Sequence, residues 1–395
     1  MAERIYLDGA AATPVLPEVK RVMEEALSEG GNPSSIHAEG RRARQRIERA
    51  RGLVAALINA ASEEIVFTSC GTESNAWALR GLLAAHRRKG NHVVISVIEH
   101  PSVSLAARRL ELEGTRVSIV PVDGEGSVSP SALRAALQLQ TALVSIMLAN
   151  GEVGTIEPIQ ELAAVAHEHG ALFHTDAVAA AGHHAVDVKA LGVDALSLAA
   201  NQCYGPTGVA ALYVREGVRI FPLLEGGGQE VGARSGTEAL PAIVGMGVAA
   251  EIARRTLAER VTRVSRLRDR LRDGLASRIE SLRLNGSWSS RLPHNLHVCI
   301  DGVSSESLVL GLDHAGIAAG LGSACNSKAM RPSAVLKAMG LTEEEAKGAL
   351  VLTVGEPTTD EDIDRALEII PTVVRQLRNV TALTARMKEE TRRRA

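Results

Sequence analysis

Ala142-Leu143-Val144-Ser145-Ile146-Met147 is a short apolar run of strand type, Ile159 to Glu168 places its apolar residues at helical spacing, and Ala171-Leu172-Phe173-His174 is strand-like again. A strand, a helix and a second strand in succession form a crossover unit, in which the strands lie parallel and the helix covers them. The same alternation extends to both sides. Strand-type runs recur at Glu64-Ile65-Val66-Phe67, His92-Val93-Val94-Ile95-Ser96, Val117-Ser118-Ile119-Val120, Ala195-Leu196-Ser197-Leu198 and Val209-Ala210-Ala211-Leu212-Tyr213. Between them, Glu73 to Arg88, Ser102 to Glu111 and Ser131 to Leu137 are amphipathic. From about residue 60 to 215 the chain reads as a large α/β domain, a mostly parallel mixed sheet covered on both faces.

A long helical pattern then runs from roughly Thr237 to Glu280, opened by Pro241, and is over by Asn285-Gly286. Strand-like runs at Asn295 to Ile300 and Ala349 to Val354 alternate with helices starting at Ser305, Ser333, Glu343 and Thr359. The expected division is a large domain over 14–258 and a smaller α/β domain made of 1–13 and 259–395.

Composition narrows the function classes. The chain has 395 residues, 45% hydrophobic and 23% charged, with Lys+Arg 44, Asp+Glu 46 and a formal net charge of -2. This ordinary globular balance excludes collagen-like and disordered classes and leaves no electrostatic footprint for nucleic acid. The longest apolar stretches, such as Ala142 to Ala149 and Ala242 to Ala250, fall well short of the ~18 residues of a membrane span. Met1-Ala2-Glu3-Arg4 lacks the basic and apolar segments of a secretory leader, so a cytoplasmic protein is expected. The terminal Arg392-Arg393-Arg394 reads as a solvated tail. Cys70, Cys203, Cys299 and Cys325 form no C-x-x-C pair and read as reduced thiols. Lysine is scarce, at Lys20, Lys89, Lys189, Lys328, Lys337, Lys347 and Lys388 alone, so chemistry that needs a primary amine has few places to find one.

Motifs spread over the whole chain carry a resemblance. They are Ile5-Tyr6-Leu7-Asp8-Gly9-Ala10-Ala11, Gly31-Asn32-Pro33-Ser34-Ser35-Ile36-His37, Thr72-Glu73-Ser74-Asn75, Glu99-His100, Glu152-Val153-Gly154-Thr155, His174-Thr175-Asp176-Ala177, Tyr204-Gly205-Pro206, Gly226-Gly227-Gly228-Gln229-Glu230, Arg234-Ser235-Gly236-Thr237-Glu238 and Gly322-Ser323-Ala324-Cys325. Together they resemble the cysteine desulfurases, class V aminotransferase-like members of the fold-type I pyridoxal phosphate (PLP) enzymes. The resemblance implies a homodimer of large and small domains. Its reaction joins free cysteine to the cofactor, and a loop cysteine takes the sulfur and leaves alanine. By resemblance Asp176 faces the pyridine nitrogen, His100 stacks on the ring, Gly71 and Thr72 offer backbone N–H groups to the phosphate, and Thr237 reaches a phosphate across the dimer. On its residues alone, Asp176 reads as a helix-capping loop aspartate and Thr72 as a plain N-cap.

The departures from that pattern cluster. Where the family has Ser-x-His-Lys before Tyr-Gly-Pro, this chain has Ala199-Ala200-Asn201-Gln202-Cys203. Gln202 therefore stands at the Schiff-base lysine and Asn201 at the histidine. An amide nitrogen is delocalised into its carbonyl, so no aldimine forms there. Ala179 replaces a glutamine and Gly151 an asparagine, while arginines are replaced by Val231, by Val351 and by Glu356. The Val351 position would clamp the substrate carboxylate.

The leading expectation is a desulfurase-like protein without Schiff-base catalysis. It would act as a sulfur-transfer or iron–sulfur assembly partner or scaffold, with Cys325 accepting a persulfide or ligating iron, and Lys328 favouring the thiolate. One alternative is an enzyme that holds PLP non-covalently at Asp176, His100 and Thr72. Another is a non-catalytic regulatory subunit. Cys70 and Cys203 read as packing residues, Cys299 as core, and His183-His184 as polar turn residues rather than metal ligands.

Overall fold

The apolar runs around 141–145, 172–176 and 195–199 become central strands whose every residue is buried, as a sheet covered on both faces demands. The computed structural model describes residues 4–321 and 333–394, with side chains up to residue 380. In chain order the first elements are β1 (Ile5–Leu7), α1 (Pro17–Glu29), α2 (Ala38–Leu57), β2 (Ile65–Thr68), α3 (Gly71–Ala85), β3 (His92–Ser96), α4 (Pro101–Leu112) and β4 (Arg116–Val120). Then come α5 (Pro130–Ala136), β5 (Thr141–Ser145), α6 (Ile159–Glu168), β6 (Leu172–Asp176), α7 (Val188–Leu191), β7 (Ala195–Ala199) and β8 (Ala210–Val214). After α8 (Leu240–Arg278) follow β9 (Leu282–Leu284), β10 (Asn295–Ile300), α9 (Ser305–His314), β11 (Ile317–Ala319), α10 (Ala334–Ala338), α11 (Glu343–Ala346), β12 (Ala349–Thr353) and α12 (Asp360–Arg394).

Seven strands form one sheet in the order β2-β8-β7-β6-β5-β3-β4. Only β8 is antiparallel to its neighbours. The carboxyl ends of the other six therefore share one edge, where ligands of open α/β sheets bind. Smaller sheets follow: β12-β10-β9 is antiparallel, and β1 pairs with β11 in parallel. The bridges Asp8–Thr353 and Gly320–Val351 join these two.

Helix α8 has 39 residues, roughly 58 Å of rise, and its two halves serve different cores. Ile243, Val244, Met246, Ala250 and Ala253 join the cluster around the large sheet, whereas Val264, Leu267, Leu271 and Leu275 pack with β1, β10, β12, α9 and α12. The helix begins at Leu240 because Pro241, with no N–H to give, suits the first turn. Gly247 lets it cross α2 closely, since a Cβ there would sit 2.7 Å from the Ala50 Cα. Among the described residues, no helix is long and apolar enough to cross a membrane.

Candidate active site

Four loops converge at the carboxyl edge, after β2, β3, β6 and β7. Strand β6 ends in Asp176, which is buried. Its Oδ1 accepts from Val178 N (2.9 Å) and its Oδ2 from Asn75 Nδ2 (2.6 Å), on the second turn of α3. Asn75 Nδ2 also reaches Ser102 Oγ (2.9 Å), and Ser102 Oγ lies 2.7 Å from His100 Nδ1. Ser102 N donates to the same Nδ1 at 3.1 Å, so that ring nitrogen is the acceptor and the His100 proton belongs on Nε2. One hydrogen-bonded line thus runs from His100, the N-cap of α4, through Ser102 and Asn75 to Asp176. Burial raises the Asp176 carboxyl, and the His100 imidazole works in the opposite direction.

Beside this line lies Glu99, with Oε1 accepting from Ser96 Oγ (2.6 Å) and Met147 N (2.9 Å). Burial pushes its carboxyl up to about 8, so it is neutral at pH 7. Asn150 holds the neighbouring loop, accepting from the N–H groups of Glu152 and Val153 at 3.0 Å. Motif matching brings out Glu99-His100 and Thr72 to Asn75 as runs. The roles of Glu99, Asn75 and Ser102 come only from contacts between residues far apart in sequence.

Gln202 closes the 3-10 turn Ala200–Gln202 after β7. Its Nε2 donates to the carbonyls of Ala10 (3.0 Å) and Ala11 (3.1 Å), so this amide pins the N-terminal segment. The same seam continues as Thr13 N and Oγ1 donate to Asn201 O (2.9 and 3.1 Å) and Tyr204 N donates to Thr13 Oγ1 (2.7 Å). Asn201 thus enters this seam through its carbonyl oxygen. Among the described lysines with placed side chains, Lys20, Lys89, Lys189, Lys337 and Lys347 are all exposed.

The remaining departures also have structural partners. Gly151 and Ala179 are neighbours, a Cβ on Gly151 falling 3.4 Å from the Ala179 Cβ. Gly71 opens α3 against Val178, whose Cγ2 would be 2.8 Å from any Cβ there. Val351 is buried in β12, opposite His297, and exchanges two 3.0 Å backbone bonds with Gly320. Glu356 instead accepts from Arg260 Nε (3.1 Å) and lies 3.5 Å from Arg263, while its N–H donates to Tyr204 OH (2.8 Å). The Arg260 guanidinium lies 4.9 Å over the Tyr204 ring, itself at φ +65°. Val231 is fully exposed at φ +57°, next to Glu230, whose buried carboxylate holds Arg51 in two bonds of 2.7 and 2.8 Å.

Thr72 is exposed at the start of α3. Thr237 lies on a segment that Arg234 ties to Glu73 of α3 (2.9 Å). Cys325 and Lys328 lie outside the described residues. One expectation is corrected. Cys70 is exposed at the N-cap of α3 rather than packed. His183 lies in a turn, as its sequence context suggests, and is buried there: it stacks on His294 at 3.9 Å, and its Nε2 lies 2.6 Å from Gln202 O. Among the described residues, no group of three or more metal-ligating side chains could hold an ion.

The sequence pattern of the family described as Aminotransferase class-V matches residues 5–365. The chain belongs to the class-V aminotransferase family. Within it, this class-V member is 47% identical over 382 residues to "Cysteine desulfurase IscS 1" of Archaeoglobus fulgidus, covering 96% of this chain and 100% of that protein. It is 46% identical to "Cysteine desulfurase IscS" of Methanosarcina thermophila, over 96% of this chain and 94% of the relative. A solved "NifS-like protein" superposes with a TM-score of 0.88 at 34% identity, over 94% of this chain and 99% of the other. The fold is thus the α/β fold-type I aminotransferase architecture, on the cysteine desulfurase branch of a PLP-dependent family.

Among the described residues, Gln202 offers no amine to a covalently held PLP, since its amide is committed to two backbone carbonyls.

Proposed function

We propose that this chain is a desulfurase-like protein without Schiff-base catalysis, and that it serves as a homodimeric partner or scaffold in sulfur transfer or iron–sulfur assembly. The observation that carries this reading is Gln202, whose Nε2 is donated to Ala10 and Ala11 rather than presented to a ligand. Support comes from the apolar Val351 at the carboxylate-clamp position and the paired small residues Gly151 and Ala179. In this role the Cys325 thiolate attacks the outer sulfur of a donor persulfide. The donor S–S bond breaks, the donor leaves as a thiolate, and the sulfane sulfur stays on Cys325 as a new persulfide, so no oxidant is consumed. Alternatively Cys325 supplies a thiolate ligand to an iron–sulfur cluster.

A second reading, non-covalent PLP with residual or altered activity, is favoured by the intact line from His100 through Ser102 and Asn75 to Asp176. One measurement separates the two, the visible spectrum of the purified protein with and without added PLP. A borohydride-reducible band that maps to a lysine would sink the proposal, and a PLP band that dialysis removes would support the second reading. Cys325→Ala is expected to abolish persulfide uptake or cluster retention. Unchanged behaviour in both would leave the regulatory-subunit reading.

A further inference from the structure

At the opposite edge of the large sheet, where β3 and β4 begin, a cavity of about 310 Å³ opens between the last turns of α3 and α4 and the strap at 221–223. That volume is at the lower end of small-molecule pockets, which run from ~300 to 1,000 Å³. Its construction is specific. Gly81 has no side chain because a Cβ would lie 2.6 Å from the Phe221 carbonyl oxygen, so the strap rests directly on α3. Phe221 is fixed there by Trp77 Nε1, which donates to its carbonyl at 2.7 Å, and by its own N–H, which donates to Gly81 O at 3.2 Å. Leu83, Leu110, Phe221 and Leu223 give the cavity apolar walls.

Arg80 also lines it and is half-buried, yet its guanidinium makes no hydrogen bond or ion pair with any described residue. Its nitrogens keep contact with solvent, so the guanidinium is available to an incoming anion. The acid on the rim, Glu113, is already engaged by Arg109 Nε at 2.6 Å. Arg87, in the turn just after α3, adds a second cation at the exposed mouth. A fork-shaped cation without a protein partner, beside apolar walls, matches a planar monoanion with a hydrocarbon body.

We propose that this cavity binds a small amphipathic carboxylate, its carboxylate on Arg80 and its hydrocarbon against Leu83, Leu110, Phe221 and Leu223. The site stands apart from the carboxyl-edge loops and does not depend on the function proposed for them. Octanoate, with octanol as the neutral control, tests it by titration calorimetry on the full chain. One saturable site is expected, with octanol at least about tenfold weaker and Arg80→Gln weakening octanoate at least about tenfold. Ala84→Trp, at an exposed lining position, is expected to fill the cavity and abolish binding, and it serves as the test should Arg80→Gln fail to fold. Absence of saturable binding, equal affinity for octanol, or octanoate binding that survives both variants would each overturn the assignment.

Discussion

Replacing Glu99 by glutamine should remove a defined portion of the protein's pH-dependent stability. Burial raises this carboxyl from 4.5 to about 8. A group raised in the folded state contributes stability that is full below its unfolded value and lost as pH rises through the folded one. Between pH 6 and pH 8 the unfolded chain has already released the proton, while the folded chain holds it until close to pH 8. Each pH unit there costs about 1.4 kcal/mol, less near the top where the folded group begins to ionise, so the loss over the interval is roughly 2 kcal/mol. Glu99→Gln keeps an oxygen that can accept from Ser96 and Met147 N and cannot titrate. Urea unfolding at pH 6, 7 and 8, followed by the fluorescence of the fully buried Trp77, measures the effect. The variant should lose roughly 2 kcal/mol less than the parent between the extremes, the remaining slope belonging to the buried Glu152 and Glu157, raised to about 8 and about 7. Identical slopes for parent and variant would refute the reasoning, because Glu99 would then be ionised in the fold.

Other outcomes follow from the same structure. Gln202→Lys alone should produce no alanine from cysteine, because Val351 and Ala199 remain; a coupled alanine assay with added PLP checks this, and substantial turnover would contradict it. Gln202→Ala should destabilise the fold by about 1–3 kcal/mol in urea titration, since two carbonyls lose their donor. Glu230→Ala leaves the buried Arg51 with only the exposed Glu48 as a charged partner and Phe67 N without its acceptor, and should cost about 1.5–3 kcal/mol, read as a lower thermal midpoint. On the acid side, burial lowers His174, His183 and His297 to about 3, 4 and 3, so their contribution is lost as pH falls below 6.5. The three raised glutamates oppose this down to about 4.5, so urea midpoints should change little between pH 6.5 and 4.5 and fall steeply below. A steady decline from pH 6.5 would show that the glutamates are not protonated in the fold.

The large sheet is legible because its central strands are buried on both faces and therefore read as unbroken apolar runs. β1, β9 and β11 have three residues each, too few to show a period, and they exist through pairing with distant segments. At the site, Asp176 is legible from its place after a strand. Its support is not, because Asn75 reaches it over 101 residues of sequence separation and Ser102 reaches Asn75 over 27. For Gln202, residue chemistry reveals the missing amine, whereas its bonds across 192 and 191 residues belong to tertiary structure alone. His183 reads as polar from its neighbours in sequence, and only the docking of His294 from the other core shows that it is enclosed.

The carboxylate at residue 356 ties three distant segments together. Glu356 holds Arg260 and Arg263, and through its N–H it also holds the Tyr204 hydroxyl. An arginine returned to that position would meet two guanidiniums already in place, one of them buried over the Tyr204 ring. An arginine at residue 356 would therefore set three guanidiniums against one another and release the tie between the long helix α8, which carries Arg260 and Arg263, and the loop after β12.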